Sequence, residues 1–441
     1  MKILSISTQK PHSTGSGVYL TELVKSFDRA GHEQAVVAGV YEEDLFEFPP
    51  SVRTYPVYYS HEDSRGELPF EVLGMSDVMP YPSTLYNSLT EDMADMLYSA
   101  FGKAIGRAIR ELDPDVILCH HLFLLTSMLP DIVKEFAPDS FRGKIYGISH
   151  GSDIRQFQNC SFRRDSIISG IRNLDGIFAL HEEQKNQIIE LYGIAEGKIK
   201  VIGTGYNSQI FKMDKDREKL APNDSYKIIY AGKLSTAKGI FPLVEALAEM
   251  DKDREIPAFE LLLAGGCQEE GIARLLSGKP ALRAGDVGEL AALPFRARYL
   301  GMLSQAELAT AFSTSDIFVL PSYYEGLPLV LIEAMASGAI PVCTSLPGIR
   351  GWLSSTIVSD NTVLVEPPKM QAPGEPFESE IPAFKERLKD GLISALKLAH
   401  SKRYDVNYIY PDTSKASWDG VTETILKYVQ LSLLSPYSKS H

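Results

Sequence analysis

Short β-rich runs, each ending in a Gly- or His-containing loop that leads into a helical stretch, recur along the chain and constrain its fold more than any other feature. KILSIS gives way to the breaker-rich QKPHSTGSG. VYLTELVKSFDRAGH follows, with Val18, Leu20, Leu23, Val24 and Phe27 at helical spacing, and after Gly31 the run EQAVVAGV begins a second strand. That order predicts a right-handed βαβ unit and a parallel sheet. DPDVILCHH, GKIYGISHG, GIFALH and IKVIGTG repeat the pattern. The polar, turn-prone GYNSQIFKMDKDREKLAPNDS then reads as a linker. Beyond it YKIIYAGKL, FELLLAGG, ARYLGML, DIFVLPS, AIPVCT and TVLVEP supply a second set of strands, most of them separated by helical patterns. The expectation is an α/β protein with two Rossmann-like, doubly wound domains, 1–206 and 207–415, and a closing amphipathic helix at 416–434. In such sheets ligands bind at the carboxyl ends of the strands, in a cleft.

The composition agrees with this class and excludes others. A chain of 441 residues suits two ordinary domains. Its formal net charge of −13, with no long Lys/Arg block, argues against a nucleic-acid partner. Cys119, Cys160, Cys267 and Cys343 share no metal-like spacing and are expected singly in cores, as in a reduced cytoplasm. The N-terminus MKILSISTQKPHS lacks the apolar core of a signal peptide. No apolar run approaches the ~18–20 residues that span a bilayer. A soluble, cytoplasmic protein is expected, and contact with a membrane surface stays open.

Residues 42–100 break the pattern. They are rich in Tyr, Pro, Glu and Asp and read as an irregular excursion before a helix around Met93 to Leu112. Loops of that length are commonly functional, and a surface elaboration with its own aromatic packing explains the stretch equally well.

Four stretches just after strands carry candidate chemistry. In SYYEGLPLVLIEAMASG, Ser322 to Gly338, two acids stand eight apart in a nearly apolar run. Pro328 suits a first helical turn and Gly338 a stop. Glu325 then falls in the loop before the helix start and Glu333 about one and a half turns inside it. The helix start offers unpaired amides to an anion, and the carboxylates can accept hydrogen bonds from sugar hydroxyls. The plain alternative is a solvated loop acid and a helix-end acid. In YAGKLSTAKGI, Lys233 and Lys238 follow Gly232 and suit a diphosphate, although surface lysines would look the same. Gly15, Ser16 and Gly17 precede the first helix, where small residues admit a phosphate or sugar to the backbone or simply make a tight turn. His150, in ISHGSD, follows a strand end; His120 and His121 follow another, where a core or capping role explains them equally. No zinc-type cluster or nucleophile elbow occurs.

Taken together these stretches resemble the retaining glycosyltransferases of family four. SYYEGLPLVLIEAMASG resembles the family's E-x7-E signature, and GSGVYLTELVKSFDRAGHE its N-terminal glycine loop and helix. HGSD, VIGTGYNSQIF, YAGKLSTAKGI, LLLAGG and the SW before the last helix keep the family's order. The resemblance implies the glycosyltransferase B-type architecture, with the final helix crossing back to the first domain. It places the nucleotide-sugar donor on the C-terminal domain and the acceptor on the N-terminal one. It assigns Glu333 to the ribose hydroxyls, and Glu325 to the donor sugar with the backbone of Gly326 and Leu327. Lys233 and Lys238 go to the diphosphate, His150 beside the reactive carbon, and Gly17 near the phosphates. The chain departs from the family with Lys233 where Arg is usual, with Ser16 between the two glycines, and with Gly203 and Thr204 where Pro and Asn are frequent.

The function so implied is transfer of a hexose-type sugar from a nucleoside diphosphate sugar, UDP-linked or else GDP-linked, to an acceptor hydroxyl. Retention at the anomeric carbon, no metal and no other cofactor are expected. The acceptor is a sugar, a lipid-linked molecule or a small molecule. Two other readings compete: a nucleotide-sugar epimerase or hydrolase on the same architecture, and an inactive nucleotide-sugar-binding scaffold.

Overall fold

The structure is a computed structural model that describes residues 1–44, 48–61, 64–75, 79–213, 225–283, 285–325, 327–346, 348–357, 361–372, 374–405 and 407–434. The chain divides into two compact units, Met1–Gly205 joined by the terminal segment from Trp418, and Tyr206–Ser417.

Unit 1 is built on seven strands: β1 Lys2–Ser7, β2 Glu33–Val40, β3 Arg53–Tyr58, β4 Val116–His120, β5 Lys144–Ile148, β6 Gly176–Ala179 and β7 Ile199–Val201. They hydrogen-bond in the order β3-β2-β1-β4-β5-β6-β7, and each neighbouring pair is parallel. The central strands read as near-continuous apolar runs because both faces are covered; all five residues of β4 are buried. Helix α1, Gly15–Arg29, buries Leu20, Leu23, Val24 and Phe27. The order reverses between β1 and β4, so the loops that leave these two strands diverge there and leave a crevice at their carboxyl ends.

Two sequence expectations shift in this unit. β3 lies inside the stretch read as irregular. Its Pro56 cannot donate to a ladder and disguises the strand, but β3 is the sheet edge, where a missing N–H is tolerated. The rest of the excursion is aromatic core: Tyr41, Tyr59 and Tyr86 are buried in one cluster with Leu97 and Phe101 of α2, Glu91–Leu112. Gly15, Ser16 and Gly17, expected in a loop, form the first turn of α1. Thr14 is its cap and accepts a hydrogen bond from the Gly17 amide at 3.1 Å.

The last helix, Trp418–Leu434, belongs to unit 1. Trp418, Val421, Ile425 and Val429 are buried against Tyr19, Leu23, Phe27, Tyr146 and Phe178. Each such side chain contributes about 1.5–3 kcal/mol on burial. Asp419 ties the helix to α1, accepting from Ser26 Oγ at 2.6 Å and from Arg29 Nη2 at 2.6 Å.

Unit 2 repeats the plan with β8 Tyr226–Ala231, β9 Phe259–Ala264, β10 Gly288–Glu289, β11 Ala297–Gly301, β12 Ile317–Leu320, β13 Ile340–Thr344 and β14 Val363–Val365. The order is β10-β11-β9-β8-β12-β13-β14, parallel except for the short β10 at the edge. Here the order reverses between β8 and β12. A small antiparallel hairpin, Met370–Ala372 with Glu375–Pro376, follows the last strand and was not foreseen. Part of the expected linker, 214–224, lies outside the described residues. All four cysteines are free thiols, and Cys119, Cys160 and Cys343 are buried. Among the described residues no helix is long and apolar enough to cross a membrane.

Candidate functional site

The loop that leaves β8 carries both lysines. Gly232 and Lys233 are exposed at the strand end. The Lys233 carbonyl accepts from Tyr230 Oη at 2.7 Å, which braces the backbone while the ammonium stays in solvent. Among the described residues no carboxylate pairs with Lys233. Gly265, at the end of β9, comes so close that a Cβ there would stand 1.8 Å from the Gly232 carbonyl oxygen. This contact leaves a pocket of about 510 Å³ lined by Gly232, Lys233, Gly265, Gly266, Gln268 and Met302.

Five residues on, Lys238 closes a 3-10 turn, Thr236–Lys238, and Gly239 starts the next helix with φ +69. A Cβ at Gly239 would meet the Pro321 carbonyl oxygen at 2.1 Å, so this glycine lets the loop after β8 lie directly on the loop after β12. Lys238 Nζ reaches across to Glu325 Oε1 at 2.7 Å and to the Tyr324 carbonyl at 3.3 Å. Ser322 Oγ donates to the same Glu325 oxygen at 2.7 Å.

The chain then enters helix α3, Leu329–Ala336, with Pro328 as its cap residue. Leu327 is half-buried beside the core, and Gly326 lies outside the described residues. Glu333, in the second turn, has no hydrogen-bonded partner for its carboxylate among the described residues. Desolvation pushes its pKa up to about 7. A carboxyl held so far from its ordinary value, and unanswered among the described residues, is a candidate functional position.

Unit 1 brings its candidates together around the switch point. His150, after β5, has Nε2 at 3.0 Å from Nδ1 of His120, which ends β4, and the two rings stack at 13°. His121 follows with φ +69, and its Nε2 lies 3.0 Å from Ser16 Oγ in α1. Burial drives all three imidazoles toward the neutral form: His120 down to about 3, His121 down to about 4 although Asp153 opposes the shift, and His150 well below its usual range. Asp153, fully buried, pins the two loops to each other. It accepts from the Leu122 amide at 2.6 Å, from Ser149 Oγ at 3.0 Å and from the His150 amide at 3.2 Å. Ser16 also bonds Thr14 Oγ1 at 3.1 Å and Gln9 Oε1 at 3.4 Å, so its hydroxyl is engaged inside the unit.

Among the described residues no three His, Cys, Asp or Glu side chains are grouped to hold a metal ion. What unit 2 offers is cationic: an exposed ammonium at a strand end, a second ammonium aligned on a carboxylate, and a helix start beside them. That combination suits a phosphorylated ligand bearing hydroxyl groups.

Family models match both units. A model described as Glycosyltransferase Family 4 matches residues 13–209, and one described as Glycosyl transferases group 1 matches residues 212–375. The chain is a member of the GT-B glycosyltransferase superfamily. Among curated relatives of this superfamily member, D-inositol 3-phosphate glycosyltransferase of Mycobacterium tuberculosis is 26% identical over 197 residues, covering 43% of this chain. The match spans only 38% of that relative's own length. Among solved structures, sucrose-phosphate synthase of Thermosynechococcus elongatus aligns over 99% of this chain and all of its own, with 20% identity and a TM-score of 0.53. Anabaena HepE in complex with UDP aligns over 98% of this chain and 100% of its own, with 15% identity and a TM-score of 0.53. At such identities these likenesses speak for the fold alone.

Of the residues singled out in the sequence, the structure brings Lys238 and Glu325 into direct contact. It sets Lys233 and Gly232 on one pocket and gathers Ser16 and His150 around one histidine cluster. Glu333 makes no side-chain bond to Lys233, Lys238 or Glu325. Sequence reasoning passed over Ser322 and Asp153 as partners. Both sit inside quoted stretches, three residues from Glu325 and from His150, and that short spacing beyond a strand end was the available signal.

Proposed function

We propose that this chain transfers a hexose-type sugar from a nucleoside diphosphate sugar to an acceptor hydroxyl, with retention at the anomeric carbon and without a metal ion. The observation that carries the reading is the pairing of Lys238 with Glu325, on two loops that leave adjacent strands, next to the Lys233 pocket. Two lysines and the amides of the α3 start would stabilise a departing diphosphate electrostatically, which is commonly a large part of barrier reduction. Glu333 would accept from the ribose hydroxyls and Glu325 from the transferred sugar, as the resemblance to family four implies. His150, held neutral, would stand beside the reactive carbon.

The UDP bound to HepE favours a UDP-sugar donor, with a GDP-sugar as the second choice. The acceptor half goes to unit 1, with the aromatic excursion from Tyr55 to Tyr86 as the stretch that shapes its site; sugar, lipid-linked and small-molecule acceptors fit equally.

A thermal-shift panel of UDP, GDP, ADP and their sugar conjugates, with and without magnesium, tests the reading. A ligand that binds only the folded state raises the melting temperature by mass action. A rise with one nucleotide family, unchanged by magnesium, is expected. Silence across the panel, or a response that needs the metal, would count against it.

A further inference from the structure

A carboxylate has four lone-pair directions, two on each oxygen. On Glu325 both directions of Oε1 are occupied, by Ser322 Oγ at 2.7 Å and by Lys238 Nζ at 2.7 Å. Oε2 has no hydrogen-bond partner among the described residues. The two donors are themselves held. Ser322 is 1% exposed and stands two residues beyond the end of β12, so the sheet fixes its hydroxyl. Lys238 is anchored a second time on the Tyr324 carbonyl at 3.3 Å.

We propose that Ser322 is a positioning residue for Glu325: together with Lys238 it holds Oε1 and presents Oε2 as the single oxygen that meets the transferred sugar, so that Glu325 reads one hydroxyl of that sugar. The inference rests on the functional reading of unit 2 given above. The bidentate grip on a vicinal diol sets one carboxylate oxygen against each hydroxyl, and here that grip is closed because both directions of Oε1 are taken by the protein. Selection at Glu325 therefore acts at one ring position. Losing a hydroxyl there leaves a half-buried carboxylate oxygen unanswered, and that asymmetry is what makes a polar contact discriminating.

The test uses the full chain and titrates UDP, GDP and ADP and their glucose conjugates by calorimetry, following whichever pair binds. Ser322→Ala is expected to weaken the glucose conjugate about three- to tenfold, the worth of one aligned hydrogen bond. It should leave the bare nucleoside diphosphate within twofold, and Ser322→Thr should restore the conjugate. Adding Ser322→Ala to Glu325→Gln should cost nothing further, because both act through the same carboxylate. In wild type one of the 2-, 3-, 4- and 6-deoxy conjugates should bind worse than the others, and that difference should vanish in Glu325→Gln. Equal loss of nucleotide and conjugate in Ser322→Ala would make Ser322 merely structural and overturn the proposal. So would an unchanged conjugate, full additivity with Glu325→Gln, or equal sensitivity at two adjacent ring positions. If none of the nucleotides or conjugates binds, the functional reading itself falls and takes the inference with it. Binding of the nucleotides with no effect of Ser322→Ala would overturn the inference alone.

Discussion

Lys238 and Glu325 stand 87 positions apart in the chain, and their charged groups lie 2.7 Å apart. The two side chains are 28% and 16% exposed, so the pair is only partly screened by solvent. Each member is also a residue expected to bind the donor. Lys238→Met is expected to lower the stability of unit 2, because it leaves a half-buried carboxylate beside Ser322 alone. Lys238→Met with Glu325→Gln should be less destabilised than the two single losses combined, with a coupling of about 1 kcal/mol. A thermal double-mutant cycle measures this, and strict additivity would mean the ion pair contributes nothing.

Glu333 gives unit 2 a distinctive pH response. Its folded pKa is about 7 against an ordinary 4.5, so between those values the folded state holds more protons than the unfolded one. Stability contributed by the protonated form is present below about 4.5 and is lost as pH rises through 7. Glu333→Gln should therefore be more stable than wild type at pH 8 and equal to it near pH 4.5. Melting curves across that range decide the point; parallel curves would contradict it. A diol bound to the carboxylate favours its ionised form, so nucleotide binding near pH 6.5 should release a proton in wild type and none in Glu333→Gln.

The histidine cluster acts in the opposite sense. His120 and His121 titrate near 3 and 4 when folded against an ordinary 6.5, so in that window the unfolded state binds more protons. Stability of unit 1 is complete above about 6.5 and falls as pH drops toward 4. Asp153 moderates the shift on His121, and the three imidazoles repel one another once charged. His120→Asn, which keeps a polar atom near the Nδ1 position, should make the decline shallower. Far-UV circular dichroism during acid titration would show it, and an unaltered slope would count against burial as the cause.

Gly239→Ala should disturb two loops at once. The new methyl would have to move the Pro321 carbonyl, and the residue would carry a left-handed φ of +69. A destabilisation of about 1–3 kcal/mol is expected, together with weaker nucleotide binding, because Pro321 leads into Ser322 and Glu325. Gly278→Ala, also at positive φ but in open space, serves as the control. Equal effects from both would show that backbone strain alone is responsible.

Much of this was legible in the amino-acid order. Near-continuous apolar runs such as VILC and LLLA announce strands buried on both faces, and the loops after them had to hold whatever chemistry the chain performs. Glu325, Glu333, Lys233 and Lys238 stood out because charge beside an apolar strand or helix is costly unless it is used. β3 escaped notice because Pro56 breaks the local pattern, and only its place at the sheet edge makes that proline harmless. The start of α1 was misplaced because two glycines look like a loop until Thr14 is seen to cap them.

The order of residues determined two doubly wound domains, their strand-end loops and the residue types in those loops, because these follow from local periodicity and turn chemistry. It did not determine which loops meet. Lys238 finds Glu325 and Ser16 finds His121 across the point where each sheet reverses its strand order, and His120 finds His150 because β4 and β5 pair side by side. The burial that lifts the Glu333 pKa and lowers those of the histidines is likewise a product of packing. Spacing can nominate a charged group, but the environment that tunes it exists only once the chain has folded.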